Sequence, residues 1–217
     1  MIEFGHLSHP GTLSACNEST YSGNGQLGFW TVLDGIGGED CGEVASHVAR
    51  DALQRSVRQG HSLADPIIAA DAVVREIPKT KSNLRGTGVV ALRVDEPLKT
   101  MQLAWVGTSR AFGIDANGEW SELTVANATT PTSIRTMALG VTDVARLHVA
   151  EANLDLSQYQ RILLCSDAVI PLIGANKVAD ILKEREWSAQ EMVDAIAFES
   201  LESDVEDCFS LIVLKIS

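Results

Sequence analysis

The chain contains a short apolar segment that ends in one aspartate and a run of glycines. Residues 29–33 are Phe, Trp, Thr, Val and Leu, and Asp34, Gly35, Ile36, Gly37 and Gly38 follow them. A short apolar run of this kind is typical of a strand buried on both faces. The glycines leave open backbone beside the single carboxylate. By itself the segment is also typical of a tight turn or of a phosphate-binding loop before a helix.

Three more acidic residues lie in comparable places far along the chain. Glu18 follows a short apolar stretch, Asp167 follows the apolar residues 162–165, and Asp207 precedes the apolar residues 209–216. Hard divalent ions such as Mg²⁺ and Mn²⁺ prefer oxygen ligands, so these acids and Asp34 together predict one metal-dependent hydrolytic site. The alternatives are a helix N-cap for Asp167, a solvated acidic run for Asp207 and a loop carboxylate for Glu18.

Composition limits the class of protein. A chain of 217 residues, 45% of them hydrophobic, is long enough for one domain with a core, and we expect a single domain over residues 1–217. The net charge of −12 argues against binding to nucleic acid or to anionic lipid. Neither a bilayer-spanning apolar run nor a secretory signal is readable, so we expect a cytoplasmic protein without membrane insertion. The four cysteines contain no Cys-x-x-Cys pair, which favours free thiols.

Hydrophobic periodicity predicts strands, then two helices, many strands, two helices and a last strand. The helices are predicted over residues 45–57, 62–77, 176–183 and 188–197, with a capping box at Ser188 and a near capping box at Ser62. Strands are predicted over residues 27–33, 86–94, 101–106, 111–114, 120–125, 145–150, 161–165 and 209–216, and polar loops over residues 19–26 and 126–135. This order is not a βαβ alternation. It favours an α+β fold with mostly antiparallel sheets and helices outside them.

Several segments resemble the motifs of one family, the metal-dependent type 2C Ser/Thr protein phosphatases. The opening motif of that family is Gly-x-x-Arg-x-x-Asn-Glu-Asp, and residues 11–19 are similar to it. The other similar segments are Asp34-Gly35-Ile36-Gly37-Gly38, Gly42-Glu43-Val44-Ala45-Ser46, Gly86-Thr87, Gly107-Thr108-Ser109-Arg110, Ala138-Leu139-Gly140, Ser166-Asp167-Ala168 and Asp207-Cys208-Phe209-Ser210. Their order and approximate spacing follow the family from Gly11 to the end of the chain.

The resemblance implies a four-layer αββα sandwich in which two sheets are flanked by helix pairs. It implies two Mn²⁺ or Mg²⁺ ions bridged by Asp34, with Glu18 and the Gly35 carbonyl serving one ion and Asp167 and Asp207 the other. Asp34 and Asp167 would be the catalytic residues. The implied reaction is attack on a phosphoserine or phosphothreonine of a protein, by a water or hydroxide that bridges the metals. The implied partner is a phosphorylated protein, with a Ser/Thr kinase as the opposing enzyme.

Three positions depart from the family pattern. The phosphate-binding Arg of the opening motif is Ser14, which cannot make the bidentate contact of a guanidinium. The Asp that follows the metal-binding Glu is Ser19, and the Asp that helps to hold a third metal is Thr108. These changes affect phosphate capture and the third metal, while the residues implied for the two-metal core are intact.

The leading hypothesis is therefore a metal-dependent Ser/Thr protein phosphatase. The main alternative is a catalytically weak or inactive relative that keeps the fold as a binding or regulatory module. A nucleotide-binding protein is a third class, but Gly-x-x-x-x-Gly-Lys-Ser/Thr does not occur in the sequence. His9 is a candidate substitute for the lost Arg, and Cys16 and Cys165 are either buried small hydrophobes or oxidation-sensitive thiols.

Overall fold

The computed structural model describes residues 2–12, 16–37, 41–57, 62–78, 86–125, 127, 137–203 and 206–216. The strands are β1 (Ile2–His9), β2 (Ser19–Asn24), β3 (Phe29–Ile36), β4 (Gly86–Asp95), β5 (Thr100–Val106), β6 (Arg110–Asp115), β7 (Trp120–Glu122), β8 (Ala150–Asp155), β9 (Tyr159–Cys165) and β10 (Phe209–Ile216). The helices are α1 (Cys41–Ser56), α2 (Ala64–Arg75), α3 (Val169–Ile173), α4 (Ala175–Lys183) and α5 (Ala189–Glu202), with a 3-10 turn at Leu156–Gln158. Among the helices of these ranges, none combines the length and apolar character needed to cross a bilayer.

The strands form two five-stranded antiparallel sheets. The sheet that holds both chain ends, called the terminal sheet below, has the order β1-β10-β9-β6-β7. The other, called the middle sheet, has the order β2-β3-β4-β5-β8. Neighbouring strands pair antiparallel throughout both sheets.

Three apolar layers hold these elements together, and strand periodicity divides the side chains among them. In β3, Phe29 and Leu33 pack with α1 and α2, while Trp30 and Val32 pack between the two sheets. In β10 the same alternation sends Phe209 toward α3, α4 and α5. Successive residues of a strand face opposite sides, so both sheets are covered on both faces. The predicted α+β class and the implied αββα sandwich are confirmed, with a short extra helix, α3, that periodicity did not predict.

The predicted polar loop over residues 19–26 is wrong in its first part, because Ser19–Asn24 is strand β2 and pairs with β3. The hydroxyls of Thr20 and Ser22 in this strand are buried and find partners on α1. Arg50 Nη1 donates to Thr20 Oγ1 over 3.2 Å, and Gln54 Nε2 donates to Ser22 Oγ. Helix side chains therefore stabilise a strand that hydrophobic periodicity cannot detect.

Three smaller predictions are also corrected. The strand predicted over residues 145–150 is wrong, and the observed strand is β8 at Ala150–Asp155. The backbone before it forms a turn, because the N–H groups of Ala145, Arg146 and Leu147 donate to Asp143. Helix α2 begins at Ala64 with Leu63 as its N-cap, so Ser62 is one residue too early to be the cap. The strand predicted over residues 120–125 ends at Glu122. The predicted loop over residues 126–135 lies, apart from residue 127, outside the described residues.

Candidate active site

Asp34 lies near the end of β3, in the middle of three paired strands. It is opposite Ser19 of β2 and Gly88 of β4. The hydroxyl of Thr87 donates to the Asp34 carbonyl oxygen over 3.1 Å, and the Thr87 backbone pairs with Leu139. The backbone at Asp34 is therefore fixed from both sides, which holds its carboxylate in one place.

Glu18, which directly precedes β2, lies in contact with Gly35 of β3. The Gly35 N–H donates to the Glu18 carbonyl oxygen over 3.0 Å. A Cβ on Gly35 would lie 2.4 Å from the Gly42 carbonyl oxygen, and a Cβ on Gly42 would lie 2.5 Å from Glu18 Oε2. The missing side chains of the two glycines therefore let the Glu18 carboxylate pack directly against the start of α1.

Asp167 follows β9 and meets Asp34 across the interface between the sheets. The Asp34 and Asp167 side chains lie close enough to interact, and the Asp167 backbone also acts on the Asp34 carboxylate. Burial raises the pKa of Asp34 well above its ordinary value, and the negative charges of Asp167 and Glu18 raise it further. The structure thus brings Asp34, Asp167 and Glu18 into one electrostatically coupled group.

Asp207 lies on the rim of a cleft next to Asp167. The cleft has a volume of about 600 Å³ and includes Thr108, Arg110, Asp167 and Asp207 in its lining. Gly11, at a φ of 77°, would place a Cβ only 2.5 Å from the Asp207 carbonyl oxygen. The opening motif therefore packs on the backbone that carries Asp207, far from it in the sequence.

A chain of hydroxyl groups joins the strands that carry these acids. Asn17 Nδ2 donates to Ser8 Oγ over 2.8 Å, and Ser210 Oγ donates to the same oxygen over 2.7 Å. The Ser210 N–H in turn donates to Ser166 Oγ over 3.2 Å. Ser166 directly precedes Asp167, so this network sets the spacing of the acidic group. Sequence reasoning missed it, because an isolated Ser8 carries no pattern.

The positions that depart from the family pattern have different surroundings. Ser14 lies outside the described residues. Ser19 is buried, and its Oγ has no hydrogen-bond partner within the described ranges. Thr108 lines the cleft, where it presents a neutral hydroxyl. Of the five positions implied for the two metals, Glu18, Asp34, Gly35 and Asp167 lie together, and Asp207 lines the same cleft as Asp167.

Two basic residues near the site have structural partners. His9 Nδ1 accepts from the Gly11 N–H over 3.0 Å, and its ring lies 5.6 Å from that of Phe209. Arg110 Nη1 contacts Glu122 Oε1 at 2.6 Å, with both side chains more than a third exposed. His9 is therefore fixed as part of a turn, while Arg110 remains on the wall of the cleft.

Two thiols lie close to the acidic group. Cys165 is fully buried, and burial strongly raises the pKa of its thiol. Burial and the charge of Asp34 raise the pKa of Cys208 to about 11, although the backbone N–H groups of Glu18 and Ser19 partly offset this. A protonated thiol is a poor nucleophile, which favours the interpretation of Cys165 as a small buried hydrophobe. Cys208 is a site neighbour that the sequence did not single out.

The acidic group has the chemistry of a hard-cation site. Its donors are carboxylate oxygens and a backbone carbonyl, which Mg²⁺ and Mn²⁺ prefer. In the described residues, no three acidic, His or Cys side chains already converge on one point as metal ligands do. The negative charges of Asp167 and Glu18 act against ionisation of Asp34, and a bound cation would offset this repulsion. The residues present therefore fit a divalent cation.

Comparison with known proteins identifies a family model and solved structures with the same fold. A family model described as protein phosphatase 2C matches residues 4–130. PppA, a key regulatory component of the T6SS in Pseudomonas aeruginosa, is 20% identical with a TM-score of 0.82, over 99% of this chain and 97% of that one. The Mycobacterium tuberculosis Ser/Thr phosphatase PstP is 19% identical with a TM-score of 0.82, over 100% of this chain and 99% of that one. A catalytic domain of Ser/Thr phosphatase PstP in complex with two manganese ions is 20% identical with a TM-score of 0.81, over 99% of this chain and 97% of that one. Among curated proteins no match was found.

Proposed function

Because the chain belongs to the protein phosphatase 2C family, we propose that it hydrolyses phosphoserine and phosphothreonine esters in proteins with divalent metal ions. The contact between Asp34 and Asp167, beside Glu18 and at the edge of an open cleft, is the observation that supports this most strongly. A close group of acids without cations is costly, since each negative charge raises the pKa of the next acid. Bound divalent cations would offset this repulsion between the carboxylates.

Five positions would hold the two metals. Glu18, Asp34 and the Gly35 carbonyl would serve one ion, and Asp34, Asp167 and Asp207 the other. Two Mn²⁺ or Mg²⁺ ions, when bound, would lower the pKa of a water and neutralise charge on the phosphoryl oxygens. Asp34 would be ionised in that state, because two cations outweigh the burial and the neighbouring acids that raise its pKa.

The remaining cleft residues would receive the substrate. The cleft is open, so it would admit a phosphorylated side chain that projects from a protein surface. Arg110 supplies the positive charge on its wall, although Glu122 holds one edge of the guanidinium. Thr108 contributes a hydroxyl where the family pattern has an acid, so we propose two metals and no third. Phosphate capture would be weaker than with a dedicated Arg, by up to roughly 3 kcal/mol.

The substrate would be a protein phosphorylated by a Ser/Thr kinase, and the protein would act in signalling in the cytoplasm. The net charge of −12 disfavours nucleic acid as a partner and suits the capture of divalent cations.

Hydrolysis of p-nitrophenyl phosphate with and without Mn²⁺ tests the proposal. We expect activity that needs the metal and falls by at least a hundredfold in Asp34→Asn. Asp180→Asn on the exposed face of α4 is the matched control, since it removes the same charge far from the cleft. Activity that persists with a chelator, or that survives Asp34→Asn, would refute the proposal.

A second candidate is a module that binds metal or phosphoprotein without turnover. The neutral Thr108 in the cleft wall is the observation that favours it. Calorimetric titration with Mn²⁺ separates the two functions when combined with the activity assay. Metal binding without hydrolysis of p-nitrophenyl phosphate or of several phosphopeptides would favour the second candidate.

A further inference from the structure

A separate pocket lies at the other end of β9 from Asp167. Its volume is about 330 Å³, and its lining includes Arg161, Lys183 and Arg185, with Asn117 and Gly118 of the β6–β7 turn. Strand rise places Arg161 about 20 Å from Asp167, so the pocket is distinct from the acidic cleft. Three cations around one cavity are notable in a chain with a net charge of −12. We call this cavity the basic pocket.

Arg161 is buried with an unused donor. Its exposed fraction is 7%, its Nη1 donates to the Gln160 carbonyl oxygen over 2.8 Å, and its Nε has no hydrogen-bond partner among the described residues. Buried polar groups in folded proteins are nearly always paired, and a buried cation without an anion is especially costly. Among the described residues this guanidinium donates one hydrogen bond, so other N–H groups remain for an anion in the pocket that it lines.

The acids around the basic pocket are engaged elsewhere. The charge of Glu3 acts on Arg161, and Glu3 Oε1 accepts from the Ala189 N–H over 2.7 Å. Asp115 accepts from backbone N–H groups of its own turn. Glu184 and Glu186 flank Arg185 in the sequence but do not line the pocket. The described lining of the pocket includes three cations and no acid, which gives it positive character.

Further cations and open backbone complete the surroundings. Lys215 lies opposite Arg161 across the strand pair, and its Nζ donates to the Arg185 and Trp187 carbonyl oxygens, which fixes the loop above the pocket. Lys183 and Arg185 are exposed, so their long side chains can turn toward a ligand. At Gly118, with a φ of 82°, no atom lies within 4 Å of a Cβ position.

We propose that the basic pocket binds a small oxyanion of the phosphate class. A tetrahedral oxyanion accepts several charged hydrogen bonds at once, which suits one buried guanidinium and two movable cations. A cavity of about 330 Å³ has room for such an ion or for a small ester of it, but is at the lower end of the range for larger ligands. The proposal does not depend on the proposed hydrolytic function.

Titration of ¹⁵N-labelled, metal-free protein with sodium phosphate tests this binding. Chelator removes the cations that the acidic cleft needs to hold phosphate, and sodium chloride keeps the ionic strength constant. We expect saturable shifts of the Asn117 and Gly118 amide signals, with a Kd below about 10 mM. The double variant Lys183→Gln/Arg185→Gln should bind at least tenfold more weakly. Arg146→Gln, an exposed arginine elsewhere, is the control and should bind as the wild type does.

Arg161→Met should abolish the shifts, and the double variant decides the question if this substitution prevents folding. A parallel titration with glycerol phosphate identifies the source of the ligand. Tighter binding of the ester would support the site and indicate that its ligand is an organic ester. Equal binding of both ligands would also support the site and indicate that its ligand is the free ion. The proposal would be overturned if the amide shifts rose linearly with phosphate concentration, without saturation, as they do with chloride. It would also be overturned if the double variant bound phosphate with unchanged affinity.

Discussion

Replacing Gly35 with Ala should destabilise the protein strongly. The added Cβ would lie 2.4 Å from the Gly42 carbonyl oxygen and 2.6 Å from the Glu18 carbonyl oxygen, whereas ordinary contacts begin at 3.4 Å. Both neighbours are backbone atoms, so β3 and the start of α1 must separate by about 1 Å. Overpacking of this kind costs about 1–3 kcal/mol, and we expect the upper end because no flexible side chain can yield.

Urea unfolding measures this cost against a matched control. With a urea slope of roughly 2 kcal/mol per molar, a loss of about 3 kcal/mol lowers the midpoint by about 1.5 M. Gly88→Ala makes the same change on the paired strand β4, where the Cβ would lie 3.5 Å from Ser109 Oγ. Its midpoint should stay within about 0.5 M of the wild type. Equal midpoints for the two variants would refute the packing reasoning.

Three further predictions concern charge and capping. The raised pKa of Asp34 means that the folded state binds the proton more tightly, so its contribution to stability is lost as the pH rises above 3.8 through the folded-state pKa. In metal-free protein, Asp34→Asn should therefore raise the urea midpoint at pH 7.5, and the gain should shrink toward pH 4. Asp71→Ala should lower the free energy of unfolding in urea by about 3 kcal/mol, because it leaves Arg75 and the Gly140 N–H without their partner. Asp51→Ala removes an exposed ion pair and should lower it by less than about 1 kcal/mol. Ser188→Ala should lower the melting temperature through a loss of about 1 kcal/mol, and no change would contradict the capping box.

The candidate site was predictable in its members but not in its geometry. Asp34 and Gly35 follow from an apolar run that ends in glycines, and Asp167 from a second such run. Sequence spacing does not say that Asp34 and Asp167 touch, because β3 and β9 belong to different sheets. Glu18 and Cys208 meet only because β2 and β10 carry their backbones to the same edge. These contacts depend on strand order and register, which are set by packing.

The secondary-structure elements also differ in whether the sequence predicts them. The capping box at Ser188 was readable, since both of its hydrogen bonds lie within four residues. Strand β2 was not, because its hydroxyls are paired by Arg50 and Gln54 of a helix that follows later in the chain. Helix α3 escaped prediction because its five residues are too few to show a helical period.

Local sequence patterns indicate most of the helices and buried strands, and the acids that end them, because periodicity and capping act over a few residues. Tertiary packing alone brings the acids into one coupled group, packs Gly11 on Asp207 and buries Arg161 beside two cations. Those facts depend on close approach between distant backbones. Such approach follows from the packing of two sheets and their helices, and no short window of sequence contains it.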